Sequence, residues 1–326
     1  MAIPDIEAKI ASFMSNRRQE LIIFPTEKCN FRCTYCYEDY TIGRMSDDTI
    51  GGVKAFLDRR TPELEELYLS WFGGEPLVSK DIVFDISAHA SALTKKHPGL
   101  KYRGGMTTNA YFLTPSTLSQ LAAVGILDYQ ITLDGPREIH NKSRLRADGK
   151  GTFDRIWENL LAIRDSKEPV SIKLRVHYDS ETLTQLDPLI EDVRHEFLHD
   201  TRFSILFKSI ERLGGPNDAN IKIMSLKEKN VALKMLKHKL YGNDFIDHEE
   251  TFSVCYASQP NSLIIRADGT IGKCTVALND PRNHIGLLRS DGTLELNSKR
   301  LTPWIQGLAT FDHATLSCPL SALGIE

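Results

Sequence analysis

Short apolar runs of strand length alternate along the chain with longer segments in which apolar residues recur every three or four positions. This longer spacing predicts helices because it places the apolar side chains on one helix face. Strands separated by helices imply parallel pairing with right-handed crossovers, so the pattern predicts six βα units. The predicted strands are residues 21–26, 67–72, 101–109, 127–135, 170–178 and 202–210, and the predicted helices begin at Ser46 and then cover about 79–96, 114–124, 153–165, 182–198 and 225–241.

Six such units form either a partial barrel or an open doubly wound sheet, and periodicity alone does not choose between these two folds. In both folds the catalytic groups lie on loops that leave the C-terminal ends of the strands. Three unusual segments occupy such ends: a cysteine-rich loop after residues 21–26, GGEPL after residues 67–72, and LDG at the end of residues 127–135. We therefore expect the functional site at these strand ends.

The pattern changes in the C-terminal residues 255–326, which we call the tail. Asp268 and Gly269 form a strong turn signal within SLIIRADGTIGKC and predict a short hairpin. We expect mostly loop and one short helix after it. The tail is too small to bury a core of its own, so it should lean on the βα units or be stapled by metal. The predicted division is an N-terminal segment at 1–19, the βα units at 20–215, a linker helix at 216–254 and a small domain at 255–326.

Composition narrows the class of protein. The chain has 326 residues, with 41% hydrophobic and 25% charged residues, which are ordinary values for globular proteins. The formal net charge of -3, with both signs interspersed, gives no strong field for nucleic acid. No apolar run approaches the roughly 18 to 20 residues of a membrane span. We expect a cytoplasmic protein without nucleic-acid or membrane partners, whose six cysteines are metal ligands, catalytic groups or buried thiols rather than disulfides.

Three of the six cysteines, Cys29, Cys33 and Cys36, lie within eight residues, in the sequence EKCNFRCTYCYED. The spacing C-x3-C-x2-C lets one short loop aim three thiolates at a single centre. A structural zinc site requires four protein ligands. A 4Fe–4S cluster held by three thiolates instead leaves one iron open to a substrate or cofactor. A zinc or redox-thiol site and purely structural thiols are the alternatives.

The cysteine motif, with Tyr35 before its last cysteine, resembles that of the radical S-adenosylmethionine (radical SAM) enzymes. Three further motifs match this family in order: GGEP from Gly73, TTNA from Thr107 and TLDGPREIHNKSR from Thr132. The matches together span most of residues 20–210. The resemblance favours the barrel between the two folds: a partial (β/α)6 TIM-like barrel with a small C-terminal extension.

The resemblance implies the cofactor chemistry. In this family the open iron of the cluster binds the amino and carboxylate groups of S-adenosylmethionine. The reduced cluster gives an electron to the sulfonium, and the resulting 5'-deoxyadenosyl radical abstracts a hydrogen atom from the substrate. The cofactor carries the difficult step, while the protein positions it and excludes quenching reactions. A reductant of the flavodoxin or ferredoxin type is implied as a partner.

The resemblance also implies cofactor contacts for particular residues, without assigning a catalytic side chain. Two glycines would permit close backbone approach, and Glu75 would supply a negative partner for an ammonium group. Ordinary strand-end turns and a surface arginine are the competing explanations for the later motifs. The implied contacts are Tyr35 with adenine, Gly73, Gly74, Glu75 and Pro76 with the methionine amino group, Asn109, Thr132 and Asp134 near the ribose or elsewhere on the cofactor, and Arg144 with the carboxylate.

The other three cysteines, Cys255, Cys274 and Cys318, all lie in the tail. The spacing C-x13-G-x4-C, with Gly269 between the first two, resembles the opening of the SPASM extension or its shorter relative, twitch. The resemblance implies one auxiliary 4Fe–4S cluster with three cysteine ligands. Its fourth site could be a non-cysteine residue, water, the substrate or a group lost by truncation. Unrelated buried thiols and a zinc site are the alternatives.

The SPASM and twitch extensions are found in radical enzymes that modify peptides and proteins, so the resemblance implies a ribosomally made precursor peptide as substrate. We favour a crosslink between side chains, of the cyclophane carbon–carbon type or a thioether, because crosslinking removes a second electron that an auxiliary cluster could accept. An epimerase requires a hydrogen-atom donor, often a cysteine, and all six cysteines already have assignments. A sulfatase maturase usually carries aspartate where this chain has Thr275.

Only about twenty residues precede the first predicted strand. Recognition of a leader peptide would therefore require a separate protein, or else the barrel and tail themselves. An interpretation from another class is a non-catalytic iron–sulfur or zinc protein that binds a partner through the mouth of its barrel.

Overall fold

The computed structural model describes residues 10–242 and 253–324. Within this part, strands and helices alternate from Arg18 to Tyr241. The strands are β1 Arg18–Ile23, β2 Phe31–Cys33, β3 Glu66–Trp71, β4 Lys101–Thr108, β5 Ile126–Leu133, β6 Arg144–Arg146, β7 Ser171–Tyr178, β8 Phe203–Ser209, β9 Ser262–Ile265, β10 Thr270–Gly272, β11 Gly286–Leu288 and β12 Leu294–Leu296. The helices are α1 Asp47–Arg60, α2 Lys80–Lys96, α3 Pro115–Ala123, α4 Arg137–Ser143, α5 Phe153–Asp165, α6 Asp187–Phe197, α7 Leu226–Tyr241, α8 Ser298–Ile305, α9 Gly307–Thr310, α10 His313–Ser317 and α11 Pro319–Ala322.

The six predicted strands and the helices between them are present, within a few residues of the predicted bounds. Local capping explains why the helix starts could be located. The Ser46 side chain accepts a hydrogen bond from the backbone N–H of Thr49 at the start of α1. Ser225 and Glu228 form a capping box at the start of α7. These polar groups satisfy backbone donors that the first turn of a helix leaves open.

The described chain forms two compact units. The first unit contains residues 10–28, 40–104 and 253–324, and the second contains residues 29–39 and 105–242. Strand β4 runs from the first unit into the second.

In the first unit the strand order is β12-β11-β10-β9-β1-β3, followed by the start of β4. Strand β1 pairs in parallel with β3 on one side and with β9 on the other, with Leu21 opposite Leu69 and Leu263. Strands β9 to β12 then continue the sheet with antiparallel pairing. The tail hairpin therefore joins the sheet beside β1. Parallel strands are usually covered on both faces, and Leu21, Ile22 and Ile23 are all buried.

The expectation that the rest of the tail is mostly loop with one short helix was wrong. Strands β11 and β12 and the helices α8 to α11 lie in this region. Ile10, Leu308 and Leu316 form a small apolar cluster there. Strands of three residues and helices of four or five, such as α9 to α11, are too short to show a hydrophobic period, so the sequence pattern could not reveal them.

In the second unit the end of β4 is followed in order by β5, β7 and β8. Strand β7 pairs in parallel with both β5 and β8. A separate two-stranded ladder joins β2 to β6, with Cys33 opposite Arg144. This ladder was not predicted, because each of its strands has only three residues.

None of the helices in the described part of the chain is long and apolar enough to cross a membrane.

The turn after β4 shows how a helix fixes the end of a strand. Ala110 has a left-handed backbone, with a φ angle of 61°, which is unfavourable for a residue with a Cβ atom. Asn159 on α5 is buried, and its amide nitrogen donates to the carbonyl oxygens of Ala110 at 2.8 Å and of Tyr111 at 3.3 Å. These bonds hold the turn on which Asn109 lies.

Replacing Asn159 with alanine should lower the free energy of unfolding by about 1 to 3 kcal/mol, because the buried Ala110 carbonyl loses its donor. Urea denaturation measures this change. Glu158→Ala is the control, since Glu158 is exposed on the same helix, and it should change the free energy of unfolding by less than about 0.5 kcal/mol. Equal losses from the two substitutions would contradict this account of the turn.

Candidate functional site

The three-cysteine loop, residues 29–36, lies in the second unit and contains β2. The backbone N–H of Phe31 points at the sulfur of Cys29 at 3.3 Å, and the N–H of Cys36 donates to the carbonyl of Cys33 at 3.1 Å. Burial raises the pKa of Cys33 to about 11, while the nearby positive charge of Arg144 acts in the opposite direction. One backbone donor thus faces the Cys29 sulfur, and a buried cation lies near the Cys33 thiol.

Tyr35, Asp134, Ser143 and Arg144 form one hydrogen-bonded group, which we call the tyrosine cluster. The Tyr35 hydroxyl donates to Asp134 Oδ1 at 2.8 Å and accepts from Arg144 Nη1 at 2.8 Å. The Ser143 hydroxyl donates to Asp134 Oδ2 at 2.5 Å. Burial raises the pKa of Asp134, and the charge of Arg144 opposes this shift. Three of the predicted cofactor-binding residues therefore lie together at the C-terminal end of β5 and the start of β6.

His177 lies next to this cluster and was not predicted. Its ring meets the Tyr35 ring edge to face at 5.2 Å, and its Nδ1 lies 3.7 Å from Asp134 Oδ1. Burial lowers the pKa of His177 well below its usual value, and the charge of Arg175 adds to this effect. The lowered pKa favours the neutral form of this ring, which lies at the end of β7.

Two buried nitrogen atoms at this point have no hydrogen-bond partner among the described residues: His177 Nδ1 and Arg144 Nε. The exposed fractions of these side chains are only 8% and 7%. Leaving such groups unpaired costs roughly 1 to 3 kcal/mol each, so they mark a place prepared for a polar ligand. The nitrogens, together with the thiol donors of the adjacent loop, fit a cluster with a bound polar cofactor such as S-adenosylmethionine.

Asn109 and Thr132 have partners of their own within the second unit. The Asn109 amide donates to Asn30 Oδ1 at 2.8 Å and lies 4.0 Å from the Cys29 sulfur. The Thr132 hydroxyl accepts a hydrogen bond from Arg175 Nε at 3.0 Å. Asn109 is therefore placed beside the first cysteine of the loop, whereas Thr132 orients Arg175.

A cleft of about 390 Å³ opens beside Tyr35 in the second unit. It lies at the ends of β7 and β8, where the loop after β8 returns towards the three-cysteine loop. Asn217 on that loop donates to the Thr34 carbonyl at 3.0 Å. The lining residues are Thr34, Tyr35, Asp179, Glu181, Ile210, Asn217, Asn220, Ile221 and Lys222.

The GGEP motif lies in the first unit, directly after β3. A Cβ atom on Gly74 would lie 2.5 Å from the Lys28 carbonyl oxygen, and one on Gly73 would lie 2.4 Å from the Thr26 carbonyl oxygen. Both glycines are therefore required by the backbone segment that leads into the cysteine loop. Glu75 is buried, and its Oε1 accepts from the Leu77 N–H at 3.0 Å as the N-cap of a short 3-10 helix that begins at Pro76. A contact of these residues with the methionine amino group stays a prediction.

The three tail cysteines are near enough for the charges of Cys274 and Cys318 to affect the pKa of Cys255. Burial raises the pKa of Cys255 to about 11, and the nearby thiols of Cys274 and Cys318 contribute to the shift. The Cys255 N–H donates to the Leu316 carbonyl at 2.8 Å, which brings Cys255 beside the segment that carries Cys318.

Asn283 holds the backbone around Cys274 and was missed by the sequence interpretation. It is buried; its Oδ1 accepts from the N–H groups of Lys273 and Cys274 at 2.8 and 2.9 Å. Its amide nitrogen donates to the carbonyls of Cys274 and Ala277 at 2.8 and 3.0 Å. One side chain thus makes four hydrogen bonds that define the Cys274 turn. A single asparagine in a loop gives no sequence signal for such a role.

Across residues 10–242 and 253–324, no group of three or more His, Cys, Asp or Glu side chains has the spacing to hold a metal ion. The assignment of the two cysteine sets as ligands therefore stays a prediction. Its support is the soft thiolate chemistry of each set, which suits iron–sulfur clusters, and the electrostatic effect of the Cys274 and Cys318 thiols on Cys255.

A family model for the radical SAM superfamily matches residues 23–193, which is more than half of the chain. The chain belongs to the radical SAM superfamily. Membership implies a 4Fe–4S cluster and S-adenosylmethionine as cofactors, and it confirms the resemblance drawn from the motifs. It also identifies the chain as a radical SAM enzyme.

Two curated relatives show the range of similar proteins. The chain is 22% identical over 302 residues to a cysteine-type anaerobic sulfatase-maturating enzyme of Clostridium novyi, covering 85% of this chain and 78% of that protein. It is 31% identical over 139 residues to the mycofactocin maturase MftC of Mycolicibacterium smegmatis, covering 41% of this chain. The match spans only 32% of the length of that maturase.

Solved structures confirm the predicted fold class, a partial (β/α)6 TIM-like barrel with a C-terminal extension. The structure of anSMEcpe with bound AdoMet has a TM-score of 0.64 at 20% identity and covers 87% of this chain and 77% of that one. Streptococcus suis SuiB bound to the precursor peptide SuiA has a TM-score of 0.62 at 15% identity and covers 93% of this chain and 70% of that one. At these identities the likeness concerns the fold.

Three residues of the second unit that were not predicted, His140, Ser143 and His177, lie in segments whose sequence could have indicated them. His140 and Ser143 both lie inside the motif TLDGPREIHNKSR. The buried His140 ring accepts from the Asp134 N–H at 3.3 Å. His177 is the second-last residue of the predicted strand at residues 170–178, and the ends of parallel strands are where functional side chains gather.

Gly74→Ala should destabilise the cluster-free chain by about 1 to 3 kcal/mol, because the added Cβ would overlap the backbone oxygen of Lys28. Urea unfolding of the cluster-free protein measures this without any cofactor. Gly43→Ala is the matched control, since a Cβ there would have no neighbour within 4 Å. Equal stability of Gly74→Ala and Gly43→Ala would contradict the view that the packing of the chain requires glycine at position 74.

Proposed function

We propose that the protein is a radical SAM maturase that acts on a ribosomally made precursor peptide and forms a crosslink between side chains. The observation that carries the proposal is the presence of two sets of three cysteines. One set, Cys29 to Cys36, lies in the region matched by the family, and the members of the other set lie close together in the tail. A second set is of use where the reaction removes more than one electron from the substrate.

The similar proteins support a peptide as the class of substrate. SuiB has been solved with a precursor peptide, anSMEcpe with a peptide, and MftC is named as a maturase. This chain shares the fold of the first two proteins over 93% and 87% of its residues. A separate leader-recognition protein and a reductant of the flavodoxin or ferredoxin type complete the proposed partners.

The proposed site follows from the residues of the three-cysteine loop and the tyrosine cluster. When bound, the reduced cluster and S-adenosylmethionine supply the abstraction of a hydrogen atom from the substrate. Cys29, Cys33 and Cys36 would hold the cluster. Tyr35 would contact adenine, since it lines the cleft at the ends of β7 and β8. Arg144 would pair with the carboxylate through its buried, unpartnered Nε.

The remaining cofactor contacts are proposed from their positions in each unit. Asn109, Thr132 and Asp134 follow β4 or end β5, so they would lie near the ribose or the adjacent part of the cofactor. In the first unit, Gly73, Gly74, Glu75 and Pro76 would present backbone groups and a carboxylate to the methionine amino group. The tight backbone packing of the glycines would fix the direction of those groups.

We also propose that Cys255, Cys274 and Cys318 hold one auxiliary 4Fe–4S cluster. Cys318 is exposed while Cys274 is buried, so the proposed cluster would have one protected and one accessible side. Cubane clusters usually take four ligands, so a fourth group besides these three thiolates would complete the proposed cluster. We propose the corresponding domain division, in which residues 20–215 bind the cofactor, 216–254 form a linker and 255–326 hold the auxiliary cluster. Part of this linker, residues 243–252, lies outside the described residues.

A sulfatase-type oxidation of a peptide is the second candidate, because the Clostridium novyi enzyme matches 85% of this chain. The position where such enzymes usually carry an aspartate base holds Thr275. Its hydroxyl shares a hydrogen bond of 2.7 Å with the Tyr256 hydroxyl. A threonine hydroxyl is a poor base, so this position favours crosslinking over the sulfatase reaction.

The first test concerns cofactor cleavage. Reconstituted wild-type protein should hold about eight irons and convert S-adenosylmethionine to 5'-deoxyadenosine with dithionite. Replacing Cys29, Cys33 and Cys36 with alanine should abolish cleavage, whereas Cys274→Ala should spare cleavage more than peptide turnover. Iron analysis and chromatography of the nucleoside provide the measurements. Absence of cleavage by the wild type would leave only an iron–sulfur or zinc binding protein, and equal loss of both activities in Cys274→Ala would give the tail cysteines a structural role alone.

The second test concerns the product. Incubation with the precursor peptide encoded beside the gene should give a product that has lost two hydrogen atoms, as mass spectrometry can measure. Fragmentation would locate the crosslinked residues. An unchanged mass with deuterium incorporated from the solvent would identify an epimerase instead, and turnover of a cysteine-containing sulfatase peptide would favour the second candidate.

A further inference from the structure

Glu27 and Arg266 form a buried ion pair within the first unit. Arg266 Nε donates to Glu27 Oε1 at 2.9 Å, and Arg266 Nη2 donates to Glu27 Oε2 at 2.6 Å. Their exposed fractions are 2% for Glu27 and 5% for Arg266. The two parallel hydrogen bonds fix both the distance and the plane of the pair, which a single lysine could not do.

Glu27 belongs to the short segment 25–28 that leads from β1 to Cys29. The backbone of this segment is held on several sides. The Glu27 N–H donates to the Gly43 carbonyl at 3.2 Å, and the Met45 N–H donates to the Pro25 carbonyl at 2.9 Å. The Glu75 N–H donates to the Lys28 carbonyl at 3.1 Å. The Glu27 side chain adds a link from this segment to the tail.

Arg266 has a third hydrogen bond, which reaches the loop after Cys274. Its Nη1 donates to the Leu278 carbonyl at 2.9 Å. Leu278 directly follows Ala277, whose carbonyl accepts from Asn283, the residue that also clamps Cys274. The Arg266 guanidinium therefore connects two backbone segments: one ends just before the first cysteine of the three-cysteine loop, and the other begins just after the second tail cysteine.

We propose that Arg266 and Glu27 are positioning residues, which fix the Cys274 loop against the segment that leads into Cys29. The assignment of cluster ligands on which this inference builds belongs to the proposed function. The pair would set the place of Cys274 before any cluster is present and would preserve it afterwards. Its role is geometric, since neither side chain is assigned to touch substrate or cofactor.

Stability alone is a weak explanation for the pair. Removing both charges from water is costly, and replacing a buried ion pair with apolar residues of similar volume is often neutral or even stabilising. Apolar side chains would fill the same space but would remove the guanidinium donor of the Leu278 carbonyl, which would keep its contact with His284 Nε2 at 3.1 Å. The double substitution E27M/R266M therefore separates the positional role of the pair from its contribution to stability.

The test uses the full chain, first without clusters. In E27M/R266M we expect an unchanged melting temperature but alkylation of Cys274 by iodoacetamide that is at least about tenfold faster, because the freed loop opens more often. Cys274 is buried and Cys318 is exposed, so peptide mapping provides Cys318 as an internal reference. Wild-type protection of Cys274 at an unchanged melting temperature would overturn the inference.

R266K provides a second variant in case the double substitution does not fold. It keeps the charge, but its single ammonium group cannot make the paired contacts with Glu27 and also reach Leu278. Faster alkylation of Cys274 in R266K is expected, and protection equal to that of the wild type would again overturn the inference. The control is R289M/E295M, which removes an exposed ion pair on the β11–β12 hairpin and should leave Cys274 protected.

The loaded protein gives a spectroscopic readout. After reconstitution, E27M/R266M should show altered electron paramagnetic resonance of the tail cluster at an unchanged melting temperature, whereas R289M/E295M should match the wild type. An unaltered spectrum in E27M/R266M would overturn the inference. Failure of the wild type to bind any cluster would refute the proposed function, but the alkylation experiment on the cluster-free chain would still decide whether Arg266 positions Cys274.

Discussion

The second unit depends on the antiparallel pairing of β2 with β6, which sets Cys33 opposite Arg144. This pairing joins the cysteine loop to β6. The first residue of β6, Arg144, is the only cation hydrogen-bonded to Tyr35 in the described chain. Burial disfavours the thiolate of Cys33, and the guanidinium of Arg144 partly offsets that cost. The ladder thus fixes the position of Cys33 relative to Arg144, which in turn donates to Tyr35 in the tyrosine cluster.

The tyrosine cluster connects the cysteine loop to the end of β5 through hydrogen bonds. Asp134 directly follows β5 and receives hydrogen bonds from Tyr35 and Ser143, so one carboxylate binds a residue of the loop and a residue of α4. Such buried polar networks are costly when incomplete. The unpaired nitrogens of Arg144 and His177 are therefore the part of the network that a polar cofactor could complete.

The tail uses a different device, because its elements are too short to position side chains by packing alone. Asn283 makes four hydrogen bonds around Cys274, and Lys273 is buried beside it with its ammonium on the Ser262 carbonyl at 2.5 Å. Burial lowers the pKa of Lys273 to about 7. Side-chain to backbone hydrogen bonds thus hold the backbone around this cysteine.

The sequence by itself determined the βα alternation, a helix that begins at Ser46, another that begins near residue 225, and the family, because periodicity, capping and motif spacing are local properties of the chain. It could not reveal the β2–β6 ladder or the tail elements of three to five residues, which are too short to carry a period. Only the tertiary structure decided that Gly73 and Gly74 pack against the segment before Cys29. It also decided that the ring of His177 contacts that of Tyr35, and that Arg266 donates hydrogen bonds to Glu27, 239 positions away in the sequence. Each of these depends on which distant residues the fold brings within a few ångströms, and no spacing rule encodes such contacts.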